Sequence, residues 1–302
     1  MDLGYQNVKE LGQIFKELGP IAAKVPVAQA EVGLLCSDMA NTFFKGEFSF
    51  IDYQEEVREI YYQLMNLGIH RDVISDGDDL TRYKVVIVPF LPAVPDEMLA
   101  KLTKFAENGG ILLVGPMTGH RTTEHTVHYD HALGKLEALC GVHVLNFYRA
   151  DGTDVKISGL GTSCEALYWA APCEALEGTE SLAAYTTSLH EDASILTRRT
   201  VGKGAVYLLG AKPAGENGNA FLKALLDQIA NEAGVAYRYP VDMGTLAVPH
   251  ADGEEEYLFL VNMDGKGSKI TLDGAWSCAL SGEKIGSVVT LEKYGYAVLK
   301  KN

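Results

Sequence analysis

The sequence lacks any apolar run approaching the ~20 residues that a membrane span requires, and charged residues occur throughout its first twenty positions. We therefore expect neither a membrane span nor a secretion signal. Basic residues are also scarce, because 26 lysines and arginines stand against 40 acidic residues, for a formal net charge of −14. Such a chain repels phosphate backbones and anionic lipid surfaces, so nucleic acid and membrane partners are not expected.

Cysteines are few, and their spacing is neither that of a zinc site nor that of a disulfide framework. Their number is odd and they are widely scattered. They are Cys36, Cys140, Cys164, Cys173 and Cys278. We interpret them as buried thiols of a protein that works in a reducing compartment, which makes the cytoplasm the expected location.

Apolar residues make up 47% of the 302 positions, which is enough to bury a sizeable core. We expect three parts: an N-terminal arm with a connecting helix over residues 1–31, an α/β domain over 32–238, and an antiparallel β-domain over 239–302.

The arm carries one amphipathic pattern. From Val8 to Leu18 apolar residues recur at steps of three and four, which predicts a short helix that stops at Gly19-Pro20. The helix is too small to have a core of its own. It must pack on the rest of the chain or on another domain.

Strand and helix patterns alternate from residue 32 onward. The predicted strands are Val32–Cys36, Asp72–Ser75, Val85–Pro89 and Ile111–Gly115. The helices predicted between them are Tyr53–Leu67 and Asp96–Glu107. This order is typical of a doubly wound, mostly parallel α/β sheet.

The later elements of the α/β domain include a predicted hairpin, in which Gly202-Lys203-Gly204 joins two strands. This motif lacks the longer frame of a phosphate-binding loop. The other elements predicted here are a helix at Leu133–Cys140, a strand at Val142–Phe147, the hairpin strands Ser194–Arg199 and Ala205–Leu209, and a helix at Ala220–Ala233. Beyond Tyr239-Pro240 only short strands separated by turns follow, which predicts a small antiparallel β-sandwich.

A turn follows the strand that ends at Val114. The segment Gly115-Pro116-Met117-Thr118-Gly119 has the Gly-x-nucleophile-x-Gly spacing of a strand-to-helix elbow. Met117 stands in the nucleophile position, and a thioether has no proton to lose and cannot carry an acyl group. We therefore assign no catalytic residue.

The polar loop after this turn is rich in histidine. Since ligands bind beyond the carboxyl ends of the strands in open α/β sheets, its side chains are the ligand-binding candidates. They are His120, Arg121, Glu124, His125, His128 and Asp130. With His131 the loop holds four imidazoles, which could assemble a metal site, but we favour a structural or interfacial loop and expect neither a metal nor a cofactor.

Glycoside cleavage would need two carboxyl groups about 5 to 10 Å apart. Glu124 and Asp130 are the only acidic residues in this loop. We interpret Trp169 as part of a strand core rather than as a platform for a sugar. The loop thus offers Glu124 and Asp130 as a single candidate pair of carboxyl groups for glycoside cleavage.

Several segments together resemble family 42 β-galactosidases, whose chains run from a catalytic (β/α)8 barrel through a connecting helix into a trimerisation domain and a small β-domain. The matching segments are Val8–Leu18, Val32–Cys36, Tyr83–Pro89, Asn108–Arg121, Leu133–Val144, Gly202–Gly210, Tyr257–Asn262 and Leu291–Leu299. The resemblance covers essentially the whole chain. A barrel needs ~250 residues, and only about thirty precede the first predicted strand, so no catalytic residue of the family is carried over.

The resemblance implies a class I glutamine amidotransferase-like fold that lost its nucleophile and took on assembly, with Met117 at the elbow. It also implies a homo-oligomer, expected as a trimer, and a barrel domain as partner. Two alternatives stay open. The first is a carbohydrate-binding or regulatory protein that uses the pocket above the sheet, and the second is an independent hydrolase with an acid/base pair in the histidine-rich loop.

Overall fold

The computed structural model describes residues 3–187, 193–215, 217–242 and 244–302. It divides into two compact units. The first, here the α/β unit, consists of Glu31–Leu64 and Arg71–Ala236. The second, here the β unit, consists of Met1–Ala30, Met65–His70 and Tyr237–Asn302.

The elements run along the chain as follows. The first half contains α1 Leu3–Lys24, β1 Val32–Leu35, α2 Asp38–Glu47, α3 Tyr53–Asn66, β2 Arg71–Ile74, β3 Val85–Val88, α4 Asp96–Glu107, β4 Ile111–Val114, α5 Leu136–Cys140 and β5 Val142–Val144. The second half contains β6 Tyr148–Gly159, β7 Thr162–Ala170, β8 Cys173–Ala175, β9 Thr179–Thr186, β10 Ala193–Val201, β11 Gly204–Leu209, β12 Ala211–Ala214, α6 Gly218–Glu232, β13 Thr245–Asp252, β14 Glu255–Asn262, β15 Ser268–Thr271, β16 Trp276–Cys278, β17 Lys284–Ile285, β18 Val288–Leu291 and β19 Tyr296–Lys301.

Five parallel strands form one half of the large sheet in the α/β unit, in the order β2-β1-β3-β4-β11. All residues of β1, β3 and β4 are buried. This is expected for strands that have helices on both faces, because both faces must then be apolar. The predicted alternation of strands and helices in this region is confirmed.

The other half of the sheet is antiparallel and continues from β11 in the order β10-β9-β6-β7-β12, with β8 and β5 attached beside β10. The mixed α/β class is confirmed, but the antiparallel part is larger than the sequence indicated. Strands such as β7 alternate between buried and more exposed residues. Such strands are buried on one face only. They therefore lack the continuous apolar run that makes the parallel strands recognisable in the sequence.

The predicted hairpin joins the two halves of the sheet, with Val201 paired to Gly204. Gly202 has a φ of 59°, which favours glycine. A Cβ atom at Gly204 would lie 2.1 Å from the backbone oxygen of Gly110. The Gly-Lys-Gly motif is therefore required by chain packing.

Helix α1, in the β unit, continues beyond the predicted stop at Gly19-Pro20, so that prediction is wrong. Pro20 costs one backbone hydrogen bond, yet Val25 N still donates to Ile21 O at 3.0 Å. The next residues are anchored in the same unit, since Val25 is buried and its carbonyl accepts a hydrogen bond from His250 Nδ1 at 2.7 Å. This anchorage favours continuation of the helix.

Two antiparallel sheets make up the rest of the β unit, in the orders β13-β14-β19-β16-β17 and β15-β18. Its core includes Trp276, Leu258, Leu260 and Ile270, each at most 1% exposed. The predicted small antiparallel unit is confirmed. Within the described residues, no helix has the length and apolar character needed to cross a membrane.

The cysteines are unpaired, but the prediction that all are buried is only partly right. Cys140, Cys164 and Cys173 are buried, whereas Cys36 and Cys278 are partly accessible. Both accessible thiols lie at or just beyond a strand end.

Candidate functional site

Two cavities lie beside the loops that follow the parallel strands, within the α/β unit. The first has a volume of about 530 Å³, and its lining includes Arg121, His128 and Asp130. The second, of about 600 Å³, is lined in part by Asp76 and Lys101. Their position agrees with the rule that sites in open α/β sheets form beyond the carboxyl ends of the strands.

The turn after β4 is sharp. Met117 has a φ of 54° and is 5% exposed. Thr118 Oγ1 fixes the turn, because it donates to Val88 O at 3.0 Å and accepts from Leu91 N at 3.2 Å. The expected strand-to-helix elbow is not formed, since the next helix is α5 and the intervening chain is a loop. The polar residues after Gly119 have no apolar periodicity that would support a helix.

His120 is enclosed among aromatic rings and is 1% exposed. The centroid of its ring lies 5.8 Å from that of Phe43 and 6.3 Å from that of Trp169. Its Nδ1 donates to Met117 O at 2.7 Å, and its Nε2 is buried with no hydrogen-bond partner among the described residues. Burial, with a smaller contribution from the charge of Arg121, lowers the pKa of His120 to about 4. At neutral pH it is an uncharged part of the core.

The other ligand candidates of the loop have different surroundings. His125 stacks on Phe43, with ring centroids 5.2 Å apart. Glu124 is exposed, and hydrogen bonds, first from Thr123, hold the pKa of its carboxyl below the ordinary value. A general acid in a glycosidase needs the opposite, a raised pKa.

Three of the six candidates, Arg121, His128 and Asp130, therefore line one cavity. His128 Nε2 donates to Gly119 O at 3.1 Å, which fixes its ring at the cavity wall. His120 and His125 belong to the aromatic cluster, while Glu124 lines neither cavity.

One buried carboxylate was missed in the sequence. Glu137 on α5 is 3% exposed. Its Oε1 accepts from Leu133 N at 3.1 Å, and His131 and His143 face its Oε2. The three residues are spaced six apart, but they lie in a loop, on α5 and on β5, so no single helical or strand period relates them.

Another charged cluster links α3 to β12. Lys212 Nζ lies 2.6 Å from Glu59 Oε2 and also contacts Glu56. Burial raises the pKa of Glu56, while the charge of Lys212 opposes that rise. Because both carboxylates are paired with the same lysine, the cluster is a structural ion pair between elements.

The geometry thus defines a class of protein: a mixed α/β domain with a buried methionine in the sharp turn after β4, joined to a small antiparallel β-domain. Two family models match these parts. Residues 30–236 match the β-galactosidase trimerisation domain, and residues 247–301 match the β-galactosidase C-terminal domain. The chain belongs to the family 42 β-galactosidases and comprises their trimerisation and C-terminal domains.

Individual relatives agree. The chain is 36% identical to β-galactosidase YesZ of Bacillus licheniformis over 99% of its own length and 45% of that protein. It is 35% identical to YesZ of Bacillus subtilis over 89% of its length and 41% of that protein. The crystal structure of β-galactosidase from Bacillus circulans sp. alkalophilus has the same fold, with a TM-score of 0.86 at 21% identity, over 99% of this chain and 45% of the other. The chain thus spans less than half the length of these relatives.

Proposed function

We propose that the chain is the assembly portion of a β-galactosidase and that it associates as a homotrimer. The observation that carries the proposal is the match of residues 30–236 to a trimerisation domain. Residues of the α/β unit that are apolar and exposed, such as Val127 and Tyr129 on the histidine-rich loop, are suited to contact another copy.

We further propose that galactoside hydrolysis takes place in a catalytic barrel domain outside this chain. The relatives are β-galactosidases more than twice as long. The apolar face of α1 supports a partner domain, because Tyr5, Val8, Leu11 and Phe15 are 51% to 66% exposed although they follow the helical period. Exposure of such an apolar face to water is unfavourable in free energy, and contact with a further domain would bury it.

We also propose that the α/β unit has a class I glutamine amidotransferase-like fold. The parallel sheet and the positive φ of Met117 after β4 support it. We likewise propose domain boundaries after residues 31 and 238. We also propose a cytoplasmic location, which the five unpaired cysteines support.

The test is light scattering of the purified chain over a range of concentrations, together with an assay on a chromogenic galactoside. We expect a mass three times the 32.8 kDa of the chain and no turnover. A monomer at high concentration would refute trimeric assembly. Hydrolysis by the chain alone would instead show an overlooked carboxylate pair, and Asp130→Asn and Glu124→Gln would be the first variants to assay.

A carbohydrate ligand in the first cavity is a second candidate function, because Arg121, His128 and Asp130 converge there. Thermal unfolding with galactose or lactose would test it. A sugar at a hundred times its dissociation constant adds about 2.7 kcal/mol of stability. Asp130→Asn should abolish the shift, whereas an unchanged melting temperature in the unmodified chain excludes this role for the sugars used.

A further inference from the structure

Two histidines and a glutamate meet at α5. His131 Nδ1 lies 3.4 Å from Glu137 Oε2, and His143 Nδ1 lies 3.6 Å from the same oxygen. One potential ligand atom of each residue lies within 4.8 Å of those of the other two. In the part of the chain that the structure describes, this is the one group of three or more His, Cys, Asp or Glu side chains with such an arrangement.

The carboxylate is held in place by the backbone. Leu133 N donates to Glu137 Oε1 at 3.1 Å, and Val144 N donates to Oε2 at 3.4 Å. The carboxylate side chain is only 4% exposed, whereas the imidazoles of His131 and His143 are 58% and 52% exposed. A rigid, buried oxygen ligand therefore faces two imidazoles that open to solvent and can adjust.

The separations exceed those of good N–H···O hydrogen bonds, which are about 2.7 to 3.2 Å. They do fit two ligands of one ion. With metal–nitrogen and metal–oxygen bonds of about 2.0 to 2.2 Å, neighbouring ligand atoms around a tetrahedral zinc ion lie roughly 3.4 Å apart. The distances of 3.4 and 3.6 Å match this value.

We propose that His131, Glu137 and His143 bind a divalent transition-metal ion of the zinc class, through the two Nδ1 atoms and Oε2. Two imidazoles and one carboxylate suit zinc, whereas calcium and magnesium prefer all-oxygen sites. The fourth position faces solvent and takes water. The overall acidic charge and Glu174, which pairs with His143 across β5 and β8, favour a cation at this place.

The ion would connect three different segments. His131 closes the histidine-rich loop, Glu137 lies on α5, and His143 lies at the centre of β5. The sharp return of the chain between the last two is made by Gly141, whose φ is 67°. Because His131 also lines the first cavity, the bound ion would fix one wall of that cavity.

The experiment is a titration of the metal-free chain with zinc in competition with a chromogenic chelator. We compare the unmodified chain with His131→Gln and His143→Gln, whose exposed side chains can be replaced without disturbing the core. His125→Asn is the matched control, since it removes an imidazole of the same loop and asparagine tolerates the φ of 61° at this position. Glu137 is left unchanged because two backbone donors depend on it.

We expect one zinc ion per chain in the unmodified protein and in His125→Asn, and an affinity at least about tenfold weaker in both other variants. X-ray absorption at the zinc edge should show two imidazole nitrogens at about 2.0 to 2.1 Å together with oxygen ligands. The proposal is overturned if the unmodified chain does not bind zinc, if His143→Gln binds as tightly as the unmodified chain, or if His125→Asn loses the ion.

Discussion

His120 shows how a residue chosen for its chemistry can serve packing instead. It was a ligand candidate because it follows the turn after β4, but its ring fills a space between Phe43, Phe48 and Trp169. Its unpartnered Nε2 is a cost, since a buried polar atom loses its hydrogen bonds to water. The hydrogen bond to Met117 O offsets part of it and orients the ring.

Stability should therefore depend on pH through His120. Its pKa is about 4 in the folded chain and 6.5 is its ordinary value, so between these values the unfolded chain binds more protons. The free energy of unfolding is unaffected by this group above pH 6.5 and decreases as the pH falls towards 4, by roughly 3 kcal/mol at most. Urea unfolding at pH 7.5, 6 and 5 measures the decrease.

His120→Asn should flatten this pH dependence, because an asparagine amide can still donate to Met117 O but does not titrate. His125→Asn is the control and should keep the slope of the unmodified chain. Equal slopes in the unmodified chain and in His120→Asn would show that other groups cause the dependence.

Gly204 is needed for space rather than for a phosphate. A Cβ atom there would meet the backbone oxygens of Gly110 at 2.1 Å and Ala106 at 2.5 Å. We expect Gly204→Ala to lower the free energy of unfolding by at least about 2 kcal/mol, because backbone atoms cannot move aside. Chemical denaturation measures it.

Gly46→Ala is the matched comparison, since Gly46 lies in α2 with no atom within 4 Å of its added Cβ. It should be neutral or stabilising by up to about 1 kcal/mol, because alanine favours helices. A loss in Gly204→Ala no larger than in Gly46→Ala would contradict the packing argument.

At the scale of elements, α1 has an unusual balance. Its end is anchored in the β unit through Val25, while Tyr5, Val8, Leu11 and Phe15 in its first four turns are exposed. Replacing them should have little effect on the chain alone, because their apolar surface is already in water.

We expect the double variant Leu11→Gln, Phe15→Gln to change the free energy of unfolding of this chain by less than about 0.5 kcal/mol. The same variant in a full-length enzyme that includes the catalytic domain should lower the melting temperature, because there the face would be buried. Val25→Asn, at a site 1% exposed, should destabilise both forms. A large loss in the chain alone from the double variant would mean that the face packs within this chain.

For the whole molecule, charge opposes assembly. Each chain carries a formal charge of −14, so association of several copies brings like charges together. Added salt screens this repulsion, since the Debye length falls from about 30 Å at 0.01 M to about 8 Å at 0.15 M.

The proposed trimer should therefore become more stable as salt rises over this range. Sedimentation velocity at fixed protein concentration should show a growing trimer fraction. A trimer that dissociates on addition of salt would indicate an interface dominated by ion pairs between chains.

The sequence by itself determined the parallel strands, α4 and the hairpin, because their signals are local. A strand buried on both faces must be an unbroken apolar run, as in Val85–Val88, and α4 spans the predicted Asp96–Glu107. Helix α2 was missed although Ser37 carries its N-terminal cap, with Oγ accepting from Ala40 N. Its apolar residues are too few for a clear period.

Only the tertiary structure decided which side chains of the histidine-rich loop meet. Loop residues have no fixed period, so the orientation of each side chain depends on groups that are distant in sequence. His120 and His125 pack against Phe43 on α2, whereas Arg121 and His128 line the first cavity. The grouping of Glu137 with two histidines likewise depends on the turn at Gly141, which places β5 beside α5. Sequence patterns report which residues are buried, but the path of the chain decides what they contact.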